Sequence, residues 1–367
     1  MSDEDSVAPM FTPFTLRGMT VVNRVVMSPM CMYSADDGTT NDFHLVHLGS
    51  RAMGGSGLVF TEMTNIEREG RISPGCAGIY KREHVDAWKR VVEFVHGHTG
   101  AKIGIQLGHA GRKASTRRSW EGNNKPLKGG NWDIYAPSAI PYLEESQTPK
   151  AMDRGDLDRV SEAYASATRR ADEAGFDIIE IHAGHGYLLS SFISPLTNIR
   201  TDDYGGSLAN RMRFPLECFR AVREAWPDNK PISARISAVD WVEGGTTEDD
   251  AVEIGRLFRD AGLDILDVST GNVIEGARPS VTGLFQTPYS EKIRNAVGIP
   301  TMTVGNISGP DDINDVISQG RADLCVVGKG HLYDPYFTRH AARTLEVDGP
   351  EWPNQYVRGA TSFSPGY

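Results

Sequence analysis

DLDRVSEAYASATRRADEAGFDIIEIHAGHGY, residues 156–187, is the stretch whose reading decides the fold class. Its first part, 156–174, has a helical period and stops at Gly175, a natural residue for the left-handed turn that ends a helix. Its second part, 176–184, is a short β-branched run that ends in glycine and polar residues. A helix that leads through one glycine into a short strand belongs to a series of βα units, and the same alternation recurs along the chain.

Working outward, eight strands are expected, at 21–32, 57–64, 102–109, 176–184, 231–239, 263–271, 300–307 and 322–330. Each is followed by a helix candidate. In 83–98 the residues Val85, Trp88, Val91, Val92 and Val95 fall on one face, and Thr247 with Asp250 three residues later has the pattern of a capping box. Eight strand–helix units in 367 residues is the number that closes a (β/α)8 barrel, whereas an open doubly wound sheet usually has fewer strands and a switch point. The expected fold class is therefore α/β, a single TIM barrel over 21–346. An N-terminal extension at 1–20 is expected to plug the barrel bottom, and a tail follows at 347–367. Between the third strand and its helix, 112–150 is a long polar stretch with Trp120 and Trp132, a length typical of a lid or binding element.

Composition narrows the function. With 38 basic against 48 acidic residues and a net charge of -10, the chain repels polyphosphate, so nucleic acid is not an expected partner. Apolar runs fall far short of the ~20 residues of a membrane helix. The N-terminus, Met1-Ser2-Asp3-Glu4-Asp5-Ser6, has neither the positive nor the apolar region of a secretory signal, and a cytoplasmic protein is expected. The four cysteines, Cys31, Cys76, Cys218 and Cys325, form no C-x-x-C pair, which argues against a zinc knuckle, an iron–sulfur cluster or a disulfide framework.

Active sites of TIM barrels lie at the C-terminal ends of the strands. Those ends are polar here: Ser28-Pro29-Met30-Cys31-Met32-Tyr33 on the first strand, Gln106 and His109 on the third, His182 to Tyr187 on the fourth. Arg235 faces inward on the fifth and needs a partner, which an anionic ligand would supply. The seventh and eighth end in Val304-Gly305-Asn306-Ile307 and Val327-Gly328-Lys329-Gly330, where glycines leave backbone N–H groups open toward a phosphate, although such loops without a ligand are also common. Gly54-Gly55-Ser56-Gly57 precedes a strand and reads as a turn, not a dinucleotide fingerprint. His182 and His185 could be core histidines or a metal pair, but no third ligand accompanies them and no metal is expected.

Taken together, Met27-Ser28-Pro29-Met30-Cys31-Met32-Tyr33, Ile105-Gln106-Leu107-Gly108-His109-Ala110-Gly111-Arg112-Lys113, Glu180-Ile181-His182 through Tyr187-Leu188, and Arg200-Thr201-Asp202-Asp203-Tyr204-Gly205-Gly206-Ser207 resemble the Old Yellow Enzyme family of FMN-dependent ene-reductases, in its bacterial thermophilic-like, xenobiotic reductase-like branch. The resemblance runs from about Phe11 to Gly359. It implies a bound FMN, with NADPH or NADH as hydride donor and a small activated alkene as substrate. Ser28, Pro29, Met30 and Cys31 would line the flavin, with Met63 at a position often taken by a smaller residue. Gln106 and Arg235 would meet the pyrimidine edge, and Gly305, Asn306, Gly328 and Lys329 the phosphate, with Lys329 where the family usually has Arg. His182 and His185 would donate hydrogen bonds to a substrate oxygen, Tyr187 would protonate the α-carbon, and Tyr33 would add a further donor. In that branch an arginine of the tail, here Arg358, reaches a neighbouring subunit's pocket, so a homodimer or homotetramer is expected.

Two other functions stay open on the sequence. One is a reductase of aromatic or enoyl-CoA thioesters, implied by the resemblance of Thr116 to Trp132, with Arg117, Arg118, Lys125 and Lys128, to the reductase portion of aromatic acyl-CoA monooxygenase/reductases and to xenobiotic reductases; a solvated loop is the alternative reading of that stretch. The other is a non-catalytic flavin-binding redox sensor, which the presence of Tyr187 and the histidine pair disfavours.

Overall fold

The computed structural model describes residues 7–362 apart from 278 and 280, so the acidic N-terminal hexapeptide and the last five residues lie outside the described residues. Strands β1 (Phe14–Leu16) and β2 (Met19–Val21) form an antiparallel hairpin. Then come β3 (Val25–Met27), β4 (Leu58–Asn65), β5 (Lys102–Gly108), the short parallel pair β6 (Tyr135–Ala136) and β7 (Lys150–Ala151), β8 (Ile178–Ala183), β9 (Ile232–Ser237), β10 (Ile265–Ser269), β11 (Thr301–Val304) and β12 (Leu324–Val327). Leaving out the hairpin and the β6–β7 pair, the other eight strands run parallel and close a barrel in chain order, β12 pairing back to β3. Every strand expected from sequence is present, and most are shorter than expected. Val21 belongs to the hairpin, because Arg17 in the left-handed region (φ 48°) and Gly18 turn the chain back before the barrel begins.

The helices that alternate with the barrel strands are α1 (Asp42–Met53), α2 (Arg82–His98), the one-turn α3 (Ser119–Gly122), α4 (Arg154–Ala174), α5 (Leu188–Ile193), α6 (Leu208–Ala225), α7 (Glu248–Asp260), α8 (Thr287–Val297), α9 (Pro310–Ser318), α10 (Lys329–Tyr333), α11 (Phe337–Thr344) and α12 (Val357–Ser362). Their ends follow from local chemistry. Asp153 and Asp156 cap one another's backbone at the start of α4, which stops where Gly175 turns left-handed at φ 93°. Thr247 and Asp250 do the same for α7. On α2 the expected face of Val85, Trp88, Val91, Val92 and Val95 is buried against the sheet. No described helix is long and apolar enough to cross a membrane.

The barrel interior is layered. At the N-terminal end Val26, Phe60, Ile178, Ile265, Met302 and Val326 pack with Leu16, Met19 and Val21 of the hairpin, which closes that end. Gly104 makes room for this layer, since a side chain there would stand 2.4 Å from the Phe60 ring. Two residues further along the strands, the inward positions turn polar at Gln106, Glu180, Arg235 and Asp267, all buried. The segment after β5 is folded: α3, β6 and β7 build it, Trp132 donates to the carbonyl of Glu69 at 2.9 Å, and Trp120 meets Tyr33 edge-on with ring centroids 5.9 Å apart.

Candidate active site

At the C-terminal end of β8 the chain turns sharply. His185 adopts a left-handed conformation (φ 59°), rare for a residue with a side chain, and two bonds hold it there. Its N–H donates to Ser237 Oγ at 2.8 Å, and its carbonyl accepts from Lys113 Nζ at 2.9 Å. This turn sets His182, His185 and Tyr187 side by side, with the Tyr187 ring edge-on to His182 at 4.9 Å between centroids.

The hydrogen bonds fix the tautomers. Gly184 N–H donates to His182 Nδ1 at 3.2 Å, so His182 carries its proton on Nε2 and gives it to His185 Nδ1, 3.2 Å away. His185 then carries its proton on Nε2 and donates to Ser269 Oγ at 2.8 Å; Ser269 passes its own to Gln286 Oε1 at 3.1 Å, and Gln286 Nε2 donates to the carbonyl of Val304 at 3.0 Å. The result is one directed chain of donors from β8 to β11. Both imidazoles stay neutral. Burial, the neighbouring His185 and Arg235 hold His182 well below the usual histidine range, and burial with Arg235 and Lys113 brings His185 down to about 3.

Tyr187 is half-buried, and burial, followed by the nearby Cys31 and Tyr33, pushes its phenol well above the usual tyrosine value. It is a protonated donor. Lys113 lies 5.1 Å from the Tyr187 ring centroid and 4.5 Å from that of Tyr142, donating also to the carbonyl of Asn272 at 3.2 Å; burial and Arg112 lower it to about 7. Tyr33, itself left-handed (φ 51°), closes the other side, and burial raises its phenol too. A cavity of about 230 Å³ opens between Tyr33, Lys113, Thr116, His185, Tyr187 and Asn272.

Below this mouth lies the polar layer. Arg235 Nη2 donates to Ser28 Oγ at 3.3 Å, and Gln106 Nε2 donates to Glu180 Oε1 at 2.8 Å. Reasoning from Arg235 alone predicted an anionic ligand as its partner. The structure supplies one from the protein: Asp267 Oδ2 stands 2.7 Å from Arg235 Nε. Asp267 pairs with Arg235 in the β9–β10 register, and the signal that could have found it was an acid at an inward position of an otherwise apolar strand. Lys113, Ser237, Ser269 and Gln286 were also missed as supports of the histidines.

The remaining candidates lie where the strands end. Pro29, Met30 and Cys31 are half-buried after β3, with the Cys31 thiol pushed well up by burial. Met63 is buried on β4 against Gly108, where a side chain would stand 2.6 Å from its sulfur. Gly305 has φ 111°, and a Cβ there would meet Gln286 Nε2 at 2.5 Å; Asn306 follows at φ 54°. At Gly328 an added Cβ would sit in ordinary contact with Ser28 Cβ at 3.8 Å and Met30 Sδ at 3.9 Å. Lys329 is exposed beside it. A buried cation, amide and hydroxyl at one level, with glycines at the ends of β11 and β12, suit the pyrimidine edge and phosphate of FMN. Arg358 is exposed on α12, in the tail and not at the barrel mouth. Among the described residues no three His, Cys, Asp or Glu side chains gather as metal ligands.

Comparison with known proteins places the chain among flavin oxidoreductases. The family model described as NADH:flavin oxidoreductase / NADH oxidase matches residues 9–348. The NADPH dehydrogenase of Geobacillus thermodenitrificans is 44% identical over 352 residues, 95% of this chain and 98% of that protein. That of Listeria monocytogenes serotype 4a is 42% identical, over 96% of this chain and 99% of its own. Among solved structures, morphinone reductase superposes with a TM-score of 0.77 at 27% identity, covering 96% of this chain and 93% of its own. A 2-naphthoyl-CoA reductase shares the fold with a TM-score of 0.83 at 23% identity, and this chain spans 52% of it.

Proposed function

The chain belongs to the NADH:flavin oxidoreductase / NADH oxidase family and is an NAD(P)H-dependent FMN oxidoreductase, and from that premise we propose that it reduces activated C=C bonds of enones, enals, nitroalkenes and maleimides. When bound, FMN supplies hydride transfer from the nicotinamide to the alkene. On this reading Gln106, Arg235 and Ser28 hold the pyrimidine edge, Pro29, Met30, Cys31 and Met63 line the ring, and Gly305, Asn306, Gly328 and Lys329 receive the phosphate. A Lys in that last place offers a point charge where an Arg would offer a bidentate fork.

The observation that carries the reading is the pair of neutral imidazoles whose Nε2 protons lie beside a protonated phenol. A carbonyl or nitro oxygen entering the mouth takes the His182 proton from His185 and the His185 proton from Ser269. Each bond strengthens as negative charge develops on that oxygen, to ~1.5–3 kcal/mol, so the alkene is polarised in the transition state more than in the ground state. Tyr187 then gives its proton to the α-carbon, and Lys113 near its ring stabilises the phenolate left behind. Tyr33 adds a donor. In a homodimer or homotetramer, Arg358 of the partner subunit would close the pocket.

Tyr187→Phe tests the assignment by stopped flow. Reduction by NADPH should be nearly unchanged, while reoxidation by cyclohexenone slows by roughly 10²-fold or more, the range for losing a positioned acid. Nitroalkenes, acidic enough to take a proton from water once reduced, should suffer less. Equal slowing of both half-reactions would assign Tyr187 to packing.

A further inference from the structure

Two carboxyl groups and one guanidinium share the buried layer under the mouth: Glu180 and Asp267 are fully buried and Arg235 nearly so. The oxygens of Glu180 are accounted for, since Gln106 Nε2 donates to Oε1 at 2.8 Å and Ser233 Oγ to Oε2 at 2.7 Å. Asp267 differs. It has the ion pair with Arg235 Nε at 2.7 Å, yet neither of its oxygens receives an aligned hydrogen bond from a protein N–H or O–H. Glu180 lies within hydrogen-bonding reach, so a protonated Glu180 carboxyl is the donor that Asp267 lacks.

The charges around the pair point the same way. Gln106 on β5, Ser233 on β9 and Ser28 after β3 are uncharged, and His182 on β8 is held neutral by burial. Arg235 is the one cation that acts on either carboxyl among the described residues. Two buried carboxylates in contact cannot both ionise against a single guanidinium. Burial and, for Glu180, the neighbouring Asp267 push both groups above the usual carboxylate range.

We propose that Glu180 and Asp267 hold one proton between them in the oxidised enzyme and take up a second when the bound cofactor is reduced. The inference rests on the proposed seating of FMN with its pyrimidine edge at Gln106 and Arg235. With oxidised cofactor, Arg235 balances the single negative charge of the pair. Hydride from NADPH carries two electrons and leaves NADP⁺, so the ring gains one negative charge without any proton from water. Arg235 then faces two negative charges, and one proton from bulk water on the pair restores neutrality. When the alkene takes the hydride, the ring charge disappears and the pair returns its proton to water. The proton that Tyr187 gives to the α-carbon is separate, and the electrons pass only from nicotinamide to alkene.

The test reduces the holoenzyme under argon with stoichiometric NADPH in weak buffer near neutral pH, while a pH electrode follows proton uptake and the absorption spectrum reports whether the reduced ring is anionic. The expected result is about one proton taken up per flavin with an anionic ring in the wild type, and none in the double variant Glu180→Gln/Asp267→Asn, in which neither carboxyl is left to accept it. No uptake in the wild type, equal uptake in both proteins, or a protonated ring would overturn the proposal. Infrared spectra of the oxidised protein as purified give a second readout that does not depend on flavin: a protonated-carboxyl stretch, shifted in D2O, that is present in the wild type and lost in Glu180→Gln or, should that variant misfold, in Asp267→Asn. Absence of that band sinks the pair itself. Its presence in a protein that binds no FMN would sink the seating and leave the one-proton pair standing.

Discussion

Replacing both His182 and His185 with alanine should weaken the binding of p-hydroxybenzaldehyde to the holoenzyme, by an amount the hydrogen-bond chain sets. A bound phenolate gains two charge-assisted donors, each ~1.5–3 kcal/mol. The wild type must first give up two neutral bonds, His182 to His185 and His185 to Ser269, each ~0.5–1.5 kcal/mol. The net loss in the variant is then about 2–3 kcal/mol, or roughly 30- to 150-fold in Kd at 1.4 kcal/mol per tenfold. The assay is titration of the long-wavelength charge-transfer band between phenolate and flavin. Ser269→Ala provides the opposite sign: with no resting partner for His185 Nε2, the ligand should bind up to about tenfold tighter. Unchanged titrations in the double variant, or weaker binding in Ser269→Ala, would refute the chain as the source of the donors.

Gly305→Ala places a methyl group 2.5 Å from Gln286 Nε2 at a φ of 111°, so the variant should lose about 1–3 kcal/mol of stability and release FMN more readily in fluorescence titration; an unaltered melting curve with unaltered FMN affinity would contradict this. Five histidines, His47, His84, His182, His185 and His331, are held below their usual value chiefly by burial, to about 3 for His47 and His185 and about 4 for His331. Their unfolded forms protonate first, so stability is full above pH ~6.5 and falls toward pH 4 by up to ~1.4 kcal/mol per pH unit per histidine; urea midpoints that do not move between pH 7 and pH 5 would refute it. Arg358→Ala should raise KM for the alkene while leaving flavin reduction by NADPH unaltered, and a protein that sediments as a monomer would exclude any role for this residue at a neighbour's site.

The barrel was legible because its signals are local. Alternation of short β-branched runs with helical periods, Gly175 after α4 and Thr247 before α7 each act within a few residues, and each reappears in the structure. The strand ends were legible for the same reason, since polar residues stop a buried strand. What the sequence hid was pairing across the barrel. Arg235 announced a need for negative charge, but only the β9–β10 register puts Asp267 opposite it. The histidine pair announced two donors, but that they point at one another and at Ser269 depends on a left-handed turn at His185 and on Lys113, a residue 72 positions away. The tail carrying Arg358 had no local signal beyond its aromatic residues.

Passage of hydride from nicotinamide to an activated alkene at this site is open to direct test. The most direct measurement bleaches the purified protein with stoichiometric NADPH under argon and then adds cyclohexenone, maleimide, a nitroalkene or an enoyl-CoA in separate syringes. At least one of the first three should restore the yellow colour with one saturated product per flavin. Colour that returns only with oxygen or a quinone, while every alkene is recovered unchanged, would contradict it; return with the enoyl-CoA alone would move the substrate to thioesters.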